Sequence, residues 1–416
     1  MIWFKRSAVL LLAFSCLLCG GCRWLWPQPG DSAPPASQSN NPTTAGYANS
    51  WCYQRLGDRL QSAYAAVYAA VTEKLDTDET VEIKDADTGE MRTYTGLRIS
   101  LPQPLISPIE AQQLYTAFTW DHPEFFFIGN TYSYEGYQSG GQNYYNTFCL
   151  VFTMNAAERH EASVWLNEKV NALLGAVPAN SDAFETELFL HDALLEGCVY
   201  DTEAAGDDTP AAAYPNAFTA YGALVEGKAV CEGYSRAMQL LLHKAGIECT
   251  LVSGAGKKTG VAHMWNLVTI DGRNYHVDAT WDDSDDVLRH NYFNLTTEQI
   301  EISHRLDKDN IGVDTCTATE ANFFVHGKTY LHTYKQDDIA AVIAQQVRLG
   351  KDAVEMRFSD DTYGNAAVFF RQTKVLTAKV NALLKDAGLA MWEYEVRGEP
   401  DEKILSLYKK GAYPKG

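Results

Sequence analysis

The chain has 416 residues, 46% hydrophobic and 21% charged, ordinary globular values at a length that predicts two or three folded domains. Its 34 basic and 53 acidic residues leave a net charge of −19. That balance opposes nucleic acid and anionic membrane surfaces as partners of the folded body, and no basic patch with interleaved aromatic residues offsets it.

At the N-terminus Lys5 and Arg6 precede "SAVLLLAFSCLL", an apolar stretch too short to span a bilayer as a mature helix, so residues 1–22 read as an export signal. The "CGGC" that follows resembles the lipobox of bacterial lipoproteins, with small Gly20 and Gly21 before Cys22. The resemblance implies lipid attachment at Cys22 and a protein held outside the cytoplasm on the bacterial membrane, at the cell surface or in the periplasm. Cys19 departs from the aliphatic residue commoner at the first position of that box, and a plain secretory signal is the alternative reading. Residues 23–47, rich in Pro, Ser and Asn, hold too few large apolar side chains to repay ordering and read as a flexible tether.

Residues 48–178 form an N-terminal α/β region. "RLQSAYAAVYAAVTEKL" repeats as a helix, "TVEIKD" and "TYTGLRISL" read as strands, and Ser107, Pro108 and Glu110 open a second helix. Two aromatic strands, "FFFIGNTYSYEG" and "NYYNTFCLVFTM", come next. The helices "AERHEASVWLNEKVNALLGAV" and "DAFETELFLHDALLEGCVYD" then lead into a core at 179–310. The C-terminal α/β region, 320–416, alternates strand and helix and ends with "LAMWEYEVRG" as a strand.

In the core, "GKAVCEGYSRAMQLLLHKAG" places a cysteine at the start of a helix. Cys231, Tyr234, Met238, Leu241, Leu242 and Ala245 recur at helical spacing, with Glu232, Arg236, Gln239 and Lys244 mostly between them. Gly246 followed by Ile247 fits a C-terminal cap, so Cys231 falls in the first turn. There the free N–H groups and the helix dipole favour a thiolate and can bind an oxyanion. An inert buried thiol is the alternative, and a nucleophile needs a base and an orienting partner.

Both come in "AHMWNLVTIDGRNYHVDATWDD". Runs from His263 to Ile270 and from Arg273 to Thr280 flank the turn pair Asp271 and Gly272 and read as a β-hairpin. A two-residue loop sets Ile270 opposite Arg273 and Trp265 opposite Asp278, which makes His263 and Asp278 diagonal neighbours on one face.

These residues resemble the transglutaminase-like superfamily of papain-like thiol enzymes, whose order is Cys, His, Asp. The likeness runs from about 183 to 308, through "VCEGYSRAMQLLL", "HMWNLVTIDGRNYHVDATWDD", "HNYFNLT" and "ISHRLD". It implies an α+β fold with the nucleophile helix packed on an antiparallel sheet and smaller α/β regions on either side. It implies Cys231 as nucleophile, His263 as general base and then acid, and Asp278 as the residue that orients the imidazole, with acyl transfer through a thioester on peptide or protein amides. No tryptophan directly follows Cys231, and the flanking regions do not look like those of the calcium-dependent animal enzymes, so calcium dependence and glutamine–lysine crosslinking are not carried over.

Around the triad, Tyr221 is a candidate oxyanion donor with packing as the alternative, and Trp265 either lines the acyl site or fills the core. His276 shares the strand parity of Asp278, which leaves a supporting role open. His304 reads as a loop or packing histidine. "DATWDDSDD" lacks the spacing of an EF-hand loop and reads as a solvated acidic turn, so neither metal nor cofactor is expected. Nine cysteines less those at 16, 19 and 22 leave six, with no metal-like CxxC spacing; if Cys231 works as a thiol, the odd number left cannot all pair. The expected partners are a peptide or protein substrate, such as a cell-wall or surface protein, and the membrane through the lipid. A non-catalytic adhesion, assembly or glycan- or peptide-binding module on the same fold is the competing class, and it requires no activated cysteine.

Overall fold

The structure, a computed structural model, describes residues 46–84, 90–207, 213–283, 287–308 and 310–411. The export segment, Cys22 and nearly all of the tether lie outside the described residues. Among the described residues no helix is long and apolar enough to cross a membrane.

The chain divides into two compact units. The first takes the described residues up to Ala255 together with Gly260–Leu267 and Leu306–Asp314; the second takes Gly256–Thr259, Val268–Arg305 and everything from Thr315. The strand Ala262–Ile270 is divided between them, so residues 179–310 contribute to both.

The first unit opens with the helix Asp58–Glu73 and an antiparallel sheet in the order Thr80–Lys84, Met91–Leu105, Gln142–Phe152, Ile128–Ser139. Leu97 pairs with Leu150 and Ile99 with Phe148, all four buried. Each such side chain contributes about 1.5–3 kcal/mol by leaving water. The next helix, Pro108–Asp121, starts where Ser107 Oγ accepts from Glu110 N at 3.2 Å, with Pro108 in its first turn. Full capping boxes open Ala156–Ala176, through Asn155 and Glu158, and Ala183–Gly197, through Asp182 and Glu185. Local side-chain chemistry thus sets three of the helix starts that the sequence predicts.

In the second unit the C-terminal sheet runs Tyr330–Leu331, Ala353–Phe358, Ile404–Lys409, Tyr394–Glu399, with only the first pairing parallel. Helices Gln336–Arg348, Asp360–Arg371 and Thr373–Leu384 accompany it, and Ile343, Met356, Phe369, Val380 and Leu407 share one core. The expected alternation omits one helix and the last strand, Ile404–Lys409. That strand is central, and Ile404 through Tyr408 are all buried. Its buried Ser406 breaks the apolar run by which a buried strand is recognised in sequence.

His276 is fully buried in this unit, with Nε2 3.1 Å from Thr297 Oγ1. Burial, and secondly the neighbouring His304, lower its pKa from 6.5 to about 3. The folded protein therefore keeps this imidazole neutral between those values, while the unfolded chain protonates it below about pH 6.5. Its contribution to stability is complete above that pH and is lost progressively as pH falls toward 3. Urea melts between pH 7 and 5 should show a wild-type slope exceeding that of His276→Gln by up to about one proton; identical slopes refute the assignment.

Candidate functional site

The helix Cys231–Lys244 belongs to the first unit, and a tightly folded approach sets its start. A 3-10 turn, Pro215–Phe218, leads to a short π-helical segment, Gly222–Glu226, which Gly227 ends in the left-handed conformation at φ 70°. Lys228–Ala229 then pairs in parallel with Val199–Tyr200. Val230 is the N-cap, extended at ψ 178°, with its N–H donating to Ala217 O at 2.9 Å. Cys231 is consequently the first helical residue, where backbone N–H groups have no partner within the helix. Gly233 sits against the same approach, since a Cβ there would lie 2.6 Å from Ala217 O and 2.7 Å from Ala229 Cβ.

At the other end Ile247 N donates to Leu242 O and Gly246 N to His243 O, with Gly246 at φ 80°, a Schellman cap. Between these ends the helix is buried on more sides than its apolar spacing predicts. Gln239 has no exposed surface, and its amide donates to Trp120 O at 2.8 Å; Arg236 Nη1 donates to Thr119 O at 2.6 Å. Polar residues expected on the outer face thus satisfy the last carbonyls of Pro108–Asp121.

Ser235 ties the first turn to the strand that carries His263. Its hydroxyl lies 2.8 Å from Cys231 O and 3.0 Å from Met264 O, and Asn266 Nδ2 donates to Ser235 O at 2.9 Å. The helix that opens at Cys231 therefore rests on the strand at residues 264 and 266, on both sides of Trp265. Trp265 has no exposed surface and stacks on the His263 ring with centroids 6.0 Å apart, so it backs the imidazole from within the core. Tyr221 is also buried, stacked on Phe126 at 5.0 Å, which gives its ring a packing role.

The second unit holds the turn of the hairpin. Asp271 and Gly272 have φ of 51° and 72°, as a two-residue type I′ loop requires, and Thr269 Oγ1 meets Asn274 Oδ1 at 2.8 Å across it. The second strand, however, is Arg273–Val277 and stops before Thr280. Asp278 ends it by becoming the N-cap of the short helix Ala279–Asp282, with Oδ1 accepting from Trp281 N at 3.1 Å. A side chain that satisfies a free helix N–H competes with continuation of the ladder.

The other oxygen of Asp278 accepts from His304 Nε2 at 2.9 Å, and both side chains are fully buried. His304 is thus a specific partner of Asp278 rather than a loop histidine. Its position 26 residues away leaves no spacing in the sequence to read. Asp282, expected in a solvated turn, is likewise buried and accepts from Tyr292 N at 2.9 Å.

All six cysteines of the described residues are free thiols, and Cys231 alone among them is not fully buried. Burial, and next the Asp121 carboxylate, hold the Cys52 thiol well above its ordinary pKa; burial does the same to Cys249 and, less strongly, to Cys149.

Helix propensity alone would make Gly233→Ala a gain of about 1 kcal/mol. The backbone oxygen at 2.6 Å reverses the sign, and overpacking should cost about 1–3 kcal/mol in chemical denaturation. Ser235→Ala should cost about 1 kcal/mol through its lost hydrogen bonds. A Gly233→Ala protein at least as stable as wild type refutes the close approach.

A family model described as the transglutaminase-like superfamily matches residues 174–279, a span that includes Cys231, His263 and Asp278. Among solved structures, a TGase is similar at 16% identity and a TM-score of 0.26, covering 36% of this chain and 44% of that one. A proposed cysteine protease from Cytophaga hutchinsonii is similar at 11% identity and a TM-score of 0.23, covering 36% and 62%. A proposed protease from Parabacteroides distasonis is similar at 10% identity and a TM-score of 0.21, covering 36% of each. The chain spans less than two thirds of each of these three. No curated protein matches it. Residues 174–279 are a transglutaminase-like core within an α+β chain.

Proposed function

We propose that the protein is an extracytoplasmic thiol enzyme that cleaves or transfers the acyl group of peptide or protein amides, with Cys231, His263 and Asp278 as its triad. The observation that carries the reading is the placement of Cys231. It is the one cysteine of the described residues that is not fully buried, and it opens a helix whose first turn Ser235 ties to the strand of His263. A structural thiol has no need of that position; a nucleophile gains the N–H groups of the helix start and an imidazole on the adjoining strand.

In this mechanism His263 takes the thiol proton and the Cys231 sulfur attacks the carbonyl carbon. The carbonyl π bond becomes an oxyanion, which the N–H groups at the helix start stabilise. Collapse breaks the C–N bond, and the His263 imidazolium gives its proton to the departing amine. Water or a second amine then attacks the thioester and gives a proton to His263; collapse breaks the C–S bond, and His263 returns that proton to the departing Cys231 sulfur. Asp278 orients the imidazole and stabilises its charged form throughout. Fully buried and accepting two hydrogen bonds within its own unit, it has a fixed orientation for that task.

Iodoacetamide at pH 6 should alkylate Cys231 faster than the other five described cysteines, and His263→Ala should slow that alkylation. Cys231→Ala should abolish release of amine from peptide substrates while leaving their binding largely intact, and Asp278→Asn should lower turnover less than Cys231→Ala does. Equal labelling of all the cysteines by mass spectrometry removes the case for an enzyme and leaves a binding module on the same fold.

The same proposal places the body at the bacterial membrane through a lipid on Cys22, with residues 23–47 as spacer and surface or cell-wall peptides and proteins as substrates. More than one acyl chain on a single terminus suffices for stable attachment. Cys22→Ser should move the protein from the membrane fraction to a released or unprocessed form; unchanged fractionation, with no lipid on the mature terminus, refutes the anchor.

A further inference from the structure

We propose that His304 is a positioning residue for the reaction, holding the Asp278 carboxylate charged and aimed; this rests on the triad reading above. Within the second unit Asp278 is a fully buried carboxylate, and burial alone disfavours its charge. Donors within the unit offset that cost. Trp281 N reaches Oδ1 at 3.1 Å, and His304 Nε2 reaches Oδ2 at 2.9 Å. The first is a neutral backbone N–H that any residue except proline at 281 would supply. The second depends on one side chain.

An ionised carboxylate can only accept, so the Nε2 that lies 2.9 Å from Asp278 carries a proton, while Ser303 Oγ lies 2.8 Å from Nδ1 on the far side of the ring. The ring cannot turn away. It has no exposed surface, the Trp281 ring lies over it with centroids 4.1 Å apart, and Tyr292 meets it edge-on at 5.5 Å. Ser303 is itself held by Lys257, whose N–H donates to Ser303 O at 2.7 Å. His276 also lies close enough to be influenced by His304, and burial keeps that second imidazole neutral, so it adds no competing charge near neutral pH.

Replacing the donor takes a hydrogen bond from a fully buried carboxylate, which then binds a proton more readily. A protonated Asp278 no longer stabilises the imidazolium of His263, and fewer Cys231 thiolates form. The defect must therefore grow as pH falls, which distinguishes positioning from simple loosening of the fold.

The test is the rate of Cys231 alkylation by iodoacetamide from pH 5 to 8 in the full chain, comparing wild type with His304→Leu, His304→Gln, His304→Asn and His263→Ala. The Gln amide nitrogen occupies the place of Nε2 and keeps the donor, whereas the Asn amide is too short to reach. His304→Leu should slow labelling about tenfold at pH 6 and less at pH 8, with His304→Gln within about twofold of wild type throughout. If His304→Leu does not fold, His304→Asn takes its place against His304→Gln. Rates for the donor-lacking variant that match wild type, or fall equally at every pH, overturn the role of His304 while the slowing by His263→Ala stands. If His263→Ala leaves the rate unchanged, the triad reading fails first and the role of His304 fails with it.

Discussion

The close approach at Gly233 is the constraint on which the candidate site depends. The helix that begins at Cys231 can start there only because the chain from Ala217 to Ala229 is folded into the space that a side chain at 233 would fill. That proximity lets Val230 N donate to Ala217 O, which makes Val230 the N-cap and Cys231 the first helical residue. The preceding chain has to turn tightly to come so near, and Gly222 meets the same demand, with a hypothetical Cβ 2.1 Å from Asn216 O. Two glycines without side chains are thus the means by which a cysteine reaches a helix start without being fully covered.

Once the start is set, buried polar groups locate the rest. Ser235, one turn on, has its hydroxyl between Cys231 O and Met264 O, and Gln239, one turn further, donates to Trp120 O. A buried donor or acceptor left without a partner costs about 1–3 kcal/mol, so each of these contacts disfavours any sliding of the helix along its neighbours. Apolar packing tolerates small shifts; hydrogen bonds at fixed distances do not. The same logic governs the second unit, where Asp278 meets Trp281 N with one oxygen and His304 with the other. Buried and directional, these hydrogen bonds fix the orientation of the groups they join.

Much of this was legible in the order of residues. The hairpin could be read from Asp271 and Gly272 because left-handed backbone at two consecutive positions has few sequence solutions, and the cap at Gly246 for the same reason. The helix start at Ser107 could be read because a capping side chain acts on a backbone group only two or three residues away, and Asn155 and Asp182 cap the later helices by the same local chemistry. The thiol at a helix start and the strand holding His263 followed from such local rules, and the family resemblance rested on the same residues.

Three features had no local signature. Gln239 and Asp282 look like surface residues in sequence, since an amide or carboxylate carries no mark of the distant groups it will meet, Trp120 O and Tyr292 N. The strand Ile404–Lys409 is central because its two partners lie at 353–358 and 394–399, and strand order depends on pairings across the chain. His304 is 26 residues from the carboxylate it binds, beyond the reach of any periodicity. The sequence by itself determined where turns and helix ends fall and which residue types could do thiol chemistry, because those depend on backbone sterics and side chains a few bonds apart. Only the tertiary structure decided which polar groups are buried, what satisfies them and which histidine stands behind Asp278, because desolvation and long-range hydrogen bonds exist only once distant segments have packed.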